Sequence, residues 1–216
     1  MYQRKRPKRK RLPEPNTRRV SFVGNRQRER KLLFQECMSY FNDIVGMEKL
    51  KESVSNMLKF IICAGTNQDH FLNVILTGPP GTGKTTVARM LYNVFSTLDI
   101  FGDIDQKFTI LGRSDFVGNY LGQSCNKTKK VLEKCKGGVV FIDEFYSMCG
   151  DKDDYGRVVL HTINSFISEN TDTIFIIAGY ENMMEPIYAK QPGLKRRFPW
   201  QFHIDKYSAM ELFKIL

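Results

Sequence analysis

One glycine-rich segment constrains the fold of this chain more than any other feature. Gly78-Pro-Pro-Gly-Thr-Gly-Lys84-Thr85 fits the pattern G-x-x-x-x-G-K-[ST] in full. It follows the apolar run 73–77, which predicts a buried strand. It precedes a stretch in which apolar residues recur at helical spacing, from Val87 to Leu98. A loop of this pattern between a strand and a helix predicts an α/β domain.

The residue types in this loop suit the binding of phosphate groups. Its glycines let the backbone curl until successive N–H groups point inward, and the helix that follows adds a partial positive charge. Lys84 would reach the β- and γ-phosphates of a nucleotide, and Thr85 would place a hydroxyl on Mg²⁺. We therefore expect the whole loop to contact the nucleotide, through Pro79, Pro80, Gly81, Thr82, Gly83, Lys84, Thr85 and Thr86.

A second motif supplies two carboxylates. The apolar run Val139-Val-Phe-Ile142 predicts a buried strand, and Asp143 and Glu144 follow directly at its carboxyl end. Asp143 would hold Mg²⁺ through its hydration shell, and Glu144 would polarise the attacking water. Together with the glycine-rich loop, this acidic pair predicts a nucleoside triphosphatase.

Strands and helices alternate along most of the chain. The strands are predicted at 73–77, 108–111, 139–143, 173–178 and 200–204, and a further helix is predicted at 48–63. We therefore expect an α/β P-loop fold with a five-stranded, parallel sheet between helices. A capping box from Ser208 to Glu211 begins one more helix shortly before Leu216.

The positive charge is concentrated at the N-terminus. Residues 1–31 hold 13 of the 33 Lys and Arg residues and two of the 23 acidic residues, which leaves 32–216 with a net charge of −1. We predict a flexible basic arm over 1–31 and a near-neutral core over 32–216. The cationic run 4–11 could contact nucleic acid or an import receptor, or act only as a solubilising tail.

Composition excludes some classes of protein. No apolar run reaches the roughly 18 residues that a membrane-spanning helix requires, so we expect no membrane partner. The five cysteines are odd in number and form no C-x-x-C pair, which argues against a disulfide framework and a structural zinc site. We expect an intracellular protein, nuclear or cytoplasmic.

The motifs and their order resemble those of AAA+ ATPases, and more narrowly the CbbX/SpoVK-like (CfxQ) branch. The resemblance runs from about Phe41 to Leu216. It rests on Asp43-Ile-Val-Gly46, Gly78 to Thr86 (Walker A), Asp115-Phe-Val-Gly-Asn-Tyr-Leu-Gly122, Phe141-Ile-Asp-Glu-Phe-Tyr146 (Walker B), Ile177-Ala-Gly-Tyr180 and Pro192-Gly-Leu-Lys-Arg-Arg-Phe198.

This resemblance implies roles for further residues. It implies ATP and Mg²⁺ as cofactors, with Val45 and Gly46 beside the adenine. It also implies a homo-oligomeric ring, typically a hexamer, in which an arginine of one subunit reaches the ATP of its neighbour. Arg197 is our choice for this arginine finger, and Arg196 is the alternative. The pore loop that grips a protein substrate would contain Tyr120, Leu121 and Gly122.

The chain departs from the family pattern in two ways. Gly179 and Tyr180 stand where most AAA+ proteins have a polar sensor 1, and the sequence ends before the helical lid that the family carries.

The leading interpretation of the sequence is an ATP-driven remodeller of a protein partner. The alternative is a weakly hydrolysing, ATP-dependent assembly or switch module that acts on nucleic acid through the arm. A small-molecule phosphotransferase is a third, disfavoured interpretation.

Overall fold

In the computed structural model, the described residues are 26–64, 72–101, 107–116, 121–149 and 154–216. The strands are β1 (Val74–Thr77), β2 (Phe108–Leu111), β3 (Val139–Ile142), β4 (Ile174–Gly179) and β5 (Trp200–His203). The helices are α1 (Arg26–Ser39), α2 (Glu48–Ala64), α3 (Lys84–Thr97), α4 (Arg113–Phe116), α5 (Leu121–Glu133), α6 (Asp154–Glu169), α7 (Glu181–Lys190), α8 (Pro192–Arg197) and α9 (Ala209–Ile215), with a 3₁₀ helix at Phe145–Cys149. None of the helices in these ranges has the length and apolar character that crossing a bilayer requires.

The five strands form one parallel sheet in the order β2-β3-β4-β1-β5. The predicted five-stranded parallel sheet between helices is therefore confirmed. Strand β4 lies between β1 and β3, so the end of β4 separates the glycine-rich loop from the acidic pair. Because all pairs are parallel, the carboxyl ends of the strands share one edge of the sheet.

Two layers of helices cover the two faces of the sheet. Val74 and Leu76 of β1 pack into a core with α1, α2 and α3, whereas Ile75 packs into a second core with α5, α6, α7 and α8. All four residues of β3 are buried, and so are all six of β4. Because both faces of these central strands are buried, their sequences are continuously apolar and do not alternate between apolar and polar residues.

Helix α1 begins at Arg26, inside the segment that the sequence analysis predicted to be a flexible arm. Its first residues are mostly charged and exposed, which is why the sequence shows no helical apolar period there. Only its second half reaches the first core, where Cys37 is buried and Leu33 and Phe34 pack against it. The helix therefore crosses the boundary predicted at residue 32.

The sequence analysis also did not identify α7 and α8. Prolines and a glycine interrupt the apolar pattern there, because Pro186 lies inside α7 and Pro192 with Gly193 begins α8. Proline is tolerated in a first helical turn, where its missing N–H is not needed. Buried Met184, Ile187 and Leu194 fix both helices on the second core.

Replacement of Gly138 by alanine tests the contact between β2 and β3. A Cβ at Gly138 would lie 2.5 Å from the carbonyl oxygen of Lys107, which accepts a hydrogen bond from Val139 N at 2.8 Å. Such overpacking against backbone should lower the free energy of unfolding by about 1–3 kcal/mol, measured by urea denaturation. Gly112→Ala is the matched control, since its nearest atom would be 3.9 Å away. Equal urea midpoints for Gly138→Ala and the wild type would contradict the prediction.

Candidate nucleotide site

The glycine-rich loop has the backbone shape that phosphate binding requires. Gly81 and Gly83 have φ angles of 74° and 89°, in the left-handed region that side chains disfavour. Gly83 directly precedes α3, and its carbonyl accepts the first helical bond, from Val87 N at 2.9 Å. The first N–H groups of α3 have no intrahelical acceptor, so this end of a 14-residue helix fits an anion.

Lys84 lies folded onto the loop that precedes it. Its Nζ donates to the carbonyl oxygens of Gly78 at 3.0 Å and Pro79 at 2.7 Å, and the residue is 9% exposed. Burial lowers the pKa of this ammonium group, and the charges of Asp143 and Glu144 act in the opposite direction. The cation that would neutralise phosphate is therefore held beside the loop by weak neutral acceptors, which a phosphate oxygen could replace.

The acidic pair follows β3 as predicted, and its charges act on Lys84 across the end of β4. Asp143 Oδ1 accepts a hydrogen bond from Glu144 N at 2.8 Å, which fixes that carboxylate. Glu144 is exposed and has a φ of 47°, an uncommon backbone angle for a residue with a side chain. The structure thus brings together the loop and the two carboxylates. Thr85, the other predicted Mg²⁺ ligand, is half-buried in the first turn of α3.

Two stacked tyrosines lie beside Lys84. Lys84 Nζ lies 5.3 Å from the ring centroid of Tyr180, and this ring stacks on Tyr146 with centroids 5.2 Å apart. Burial raises the pKa of Tyr146, and interactions with Tyr180 and Glu144 raise it further. Tyr180, which directly follows β4, thus lies beside the loop lysine. The sequence analysis named Tyr146 only as part of a motif, because its partner Tyr180 lies 34 residues further along the chain, directly after β4.

A pocket of about 850 Å³ adjoins the outer side of the loop. Its lining comes from the loop, the start of α7 and the end of β5: Gly78, Pro79, Pro80, Tyr180, Glu181, Asn182, Met183, Glu185, His203 and Lys206. His203 Nδ1 lies 3.1 Å from Thr77 Oγ1 and 3.6 Å from a carboxylate oxygen of Glu181. The pocket therefore continues the loop along the carboxyl edge of the sheet.

The segment predicted to lie beside adenine precedes α2. Val45 is half-buried, and Gly46 has a φ of 68°. A Cβ at Gly46 would overlap the carboxylate of Glu211 in α9, so the Glu211 side chain lies directly against the Gly46 backbone. Glu211 Oε2 accepts hydrogen bonds from Ser208 N and Oγ, both at 2.7 Å, and these bonds hold its pKa below the usual range. The cap of α9 is thus a neighbour of the predicted adenine segment.

The two candidate finger arginines lie at the opposite edge of the sheet. The carbonyl of Arg197 accepts from Asn73 Nδ2 at 2.8 Å, and Asn73 precedes β1 whereas Gly78 follows it. Five residues of strand span about 16 Å, so the backbone of Arg197 is far from the loop of its own chain.

The two arginines differ in their side-chain contacts. Arg197 Nε donates to Ser168 Oγ at 2.6 Å, and Arg197 Nη1 donates to Gly193 O at 2.8 Å. Arg196 is exposed and has no hydrogen bond or ion pair to the part of the chain that the structure describes.

The predicted pore loop is placed only in part. Tyr120 lies outside the described residues, and the backbone of Leu121 and Gly122 forms the first turn of α5. Helix α5 packs against α6, on the face of the sheet opposite α3. The assignment of these three residues to a pore loop stays a prediction.

The fold and the site define a P-loop ATPase domain of the AAA class. The profile of the family "ATPase family associated with various cellular activities (AAA)" matches residues 74–205, and the chain belongs to this family. In a solved structure of similar fold, the FIGL-1 AAA domain in complex with ADP, the TM-score is 0.55 at 19% identity, over 81% of this chain and 58% of that one.

Relatives at higher identity place the chain in the predicted SpoVK/CfxQ branch. The ESX-1 secretion system protein EccA1 of Mycolicibacterium smegmatis is 37% identical over 90% of this chain and 36% of its own length. Stage V sporulation protein K of Bacillus subtilis is 30% identical over 85% and 59%, and a cfxQ-like protein of Acanthamoeba polyphaga mimivirus is 30% identical over 87% and 47%. The chain thus spans only part of the length of these relatives.

Replacement of Lys84 by methionine tests the loop. Methionine keeps an unbranched stem against Tyr180 but removes the cation, so ATP affinity should fall about 10- to 100-fold. Titration calorimetry measures the affinity, and thermal unfolding shows that the fold is intact. Lys51→Met is the control, because it removes only an ion pair with the exposed Glu48 on α2. Unchanged ATP affinity in Lys84→Met would rule out this lysine as a phosphate ligand.

Proposed function

We propose that this chain binds ATP with Mg²⁺ between the glycine-rich loop and the acidic pair, and hydrolyses the ATP to ADP and phosphate. The observation that carries the proposal is the convergence of Lys84, Asp143 and Glu144 at the carboxyl edge of one parallel sheet. AAA ATPases in general bind ATP with Mg²⁺ and hydrolyse it, and the chain belongs to that family.

The residues of the site divide the work of hydrolysis between them. Lys84 Nζ would exchange the carbonyl oxygens of Gly78 and Pro79 for phosphate oxygens. Thr85 and Asp143 would hold Mg²⁺, which neutralises charge on the phosphates when it is bound. Glu144 would accept a proton from the attacking water, and its exposure beside the site leaves it open to solvent.

An arginine from a second copy of the chain would complete the site. The roughly 16 Å between Asn73 and Gly78 places Arg196 and Arg197 too far from their own loop to stabilise charge there. A closed ring brings the arginine edge of one subunit to the loop of the next, and hexamers are typical of the family. Our choice remains Arg197, whose guanidinium would have to leave Ser168 Oγ to reach the neighbour.

We further propose that the ring acts on a protein partner. The relative EccA1 is named as an ESX-1 secretion system protein, and work on a polypeptide would suit a relative of such a protein. Tyr120, together with Leu121 and Gly122 in the first turn of α5, would form the loop that grips it. The direct test is ATP turnover together with the mass in solution, with and without ATP. A monomer that binds ATP without turnover would favour a switch module instead.

Mixed subunits test whether the finger acts across an interface. Arg197→Ala should keep ATP affinity but lower turnover by about 10³-fold or more, as expected for an arginine finger. Glu144→Gln should also be nearly inactive, because an amide cannot accept the water's proton. A mixture of the two should regain turnover, since one variant supplies the base and the other the arginine. Arg196→Ala is the matched control. An inactive mixture would show that Arg197 does not act in trans.

The charge distribution favours a second candidate function, nucleic-acid binding by the arm. Residues 1–31 carry a net charge of +11 and the remainder −1. If six phosphates are neutralised, the logarithm of DNA affinity should fall with that of salt concentration with a slope of about −5. Deletion of residues 1–25, which leaves α1 intact, should abolish this binding and preserve ATP affinity. DNA binding retained by residues 26–216 would locate the contact outside residues 1–25.

A further inference from the structure

A buried asparagine links the sheet to the arginine segment. Asn73 stands at the start of β1, between β4 and β5, and its side chain bonds toward both neighbouring strands. Its Oδ1 accepts from Phe175 N at 2.7 Å, and its Nδ2 donates to the carbonyl oxygen of Arg197 at 2.8 Å. The Arg197 carbonyl comes from the last residue of α8, three positions before β5 begins.

The position of this asparagine makes both hydrogen bonds costly to lose. Asn73 is 2% exposed, so water cannot replace a missing partner. The last carbonyls of a helix have no intrahelical donor, and Asn73 supplies one to the final carbonyl of α8. Phe198, the next residue, is fully buried, which anchors the chain on the other side of that carbonyl. The end of α8 is therefore fixed from two directions.

We propose that Asn73 is a positioning residue for the arginine finger. The proposal rests on the function proposed above, in which Arg197 acts on the ATP of a neighbouring subunit. By holding the Arg197 carbonyl, Asn73 fixes where α8 ends and hence the direction in which the Arg196 and Arg197 side chains leave the backbone. Asn73 touches neither the loop nor the acidic pair, so it acts on turnover only through the neighbouring site.

Two substitutions separate the hydrogen bonds from the volume they occupy. Asn73→Leu keeps a side chain of similar size but removes both bonds. Asn73→Asp keeps an acceptor for Phe175 N but turns an oxygen toward the Arg197 carbonyl. Thr173→Val is the matched control. Thr173 is 3% exposed at the same edge of the sheet, and its Oγ1 accepts from Gly137 N at 3.2 Å, away from the arginines.

Steady-state kinetics of the full chain give the first measurement. A misplaced catalytic group typically costs on the order of 10- to 100-fold, so kcat should fall by about this factor in both Asn73 variants. ATP affinity and KM should stay within about twofold of the wild type, as the loop is untouched. Thr173→Val should lose stability and keep its kcat. A kcat for either folded Asn73 variant equal to that of Thr173→Val would overturn the proposal.

The turnover of mixed subunits gives a second measurement, which would not change if Asn73 had only a structural role. Asn73→Asp mixed with Glu144→Gln should regain turnover, since the latter supplies a well-placed arginine and the former an intact base. Asn73→Asp mixed with Arg197→Ala should gain no turnover over Asn73→Asp alone, because neither supplies a well-placed arginine. Recovery with Arg197→Ala but not with Glu144→Gln would overturn the proposal.

The single variants distinguish two kinds of failure. If Arg197→Ala alone keeps wild-type turnover, the proposed finger and its positioning residue are both wrong. If it is inactive while the Asn73 variants are active, only the positioning role fails.

Discussion

Parallel pairing of five short strands is the constraint on which the rest of the structure depends. The register aligns Thr77 of β1 with Gly179 of β4 and His203 of β5, so the chain leaves the sheet at one edge each time. Residues more than 120 positions apart meet there without any long side chain reaching across the fold. The strand order matters equally, since β4 separates the loop from the acidic pair and places Tyr180 against Lys84.

At the opposite edge of the sheet, where the strands begin, the residues are buried. Asn73, Gly138 and Thr173 are buried and lie just before three adjacent strands. A Cβ at Gly138 would meet the Lys107 carbonyl, and the side chains of Asn73 and Thr173 are hydrogen-bonded. Here the packing is tight, whereas the carboxyl edge carries the exposed Glu144 and an open pocket. Strands of only four to six residues separate these two edges of the sheet.

The sequence predicted those features that depend on neighbouring residues. The loop, the acidic pair and the five strands follow from local spacing. The strands proved to be parallel, and β1 and β3, the two predicted to be buried, lie in the core. Contacts between distant residues could not be read in this way. The pairing of Tyr146 with Tyr180 and of Asn73 with Arg197 depends on strand order, which periodicity does not encode. Helices α7 and α8 were missed because prolines mask their apolar pattern, although buried side chains override that preference.

The positive φ angle of Glu144 sets stability against turnover at this position. Its φ of 47° lies where glycine or asparagine is more comfortable, at a cost of about 1–2 kcal/mol for other residues. A selection for thermal stability alone would therefore be expected to replace this glutamate and, with it, the proposed base. Stability and turnover are opposed at this one position, so a hyperstable version of the domain designed without regard to chemistry would tend to be inert.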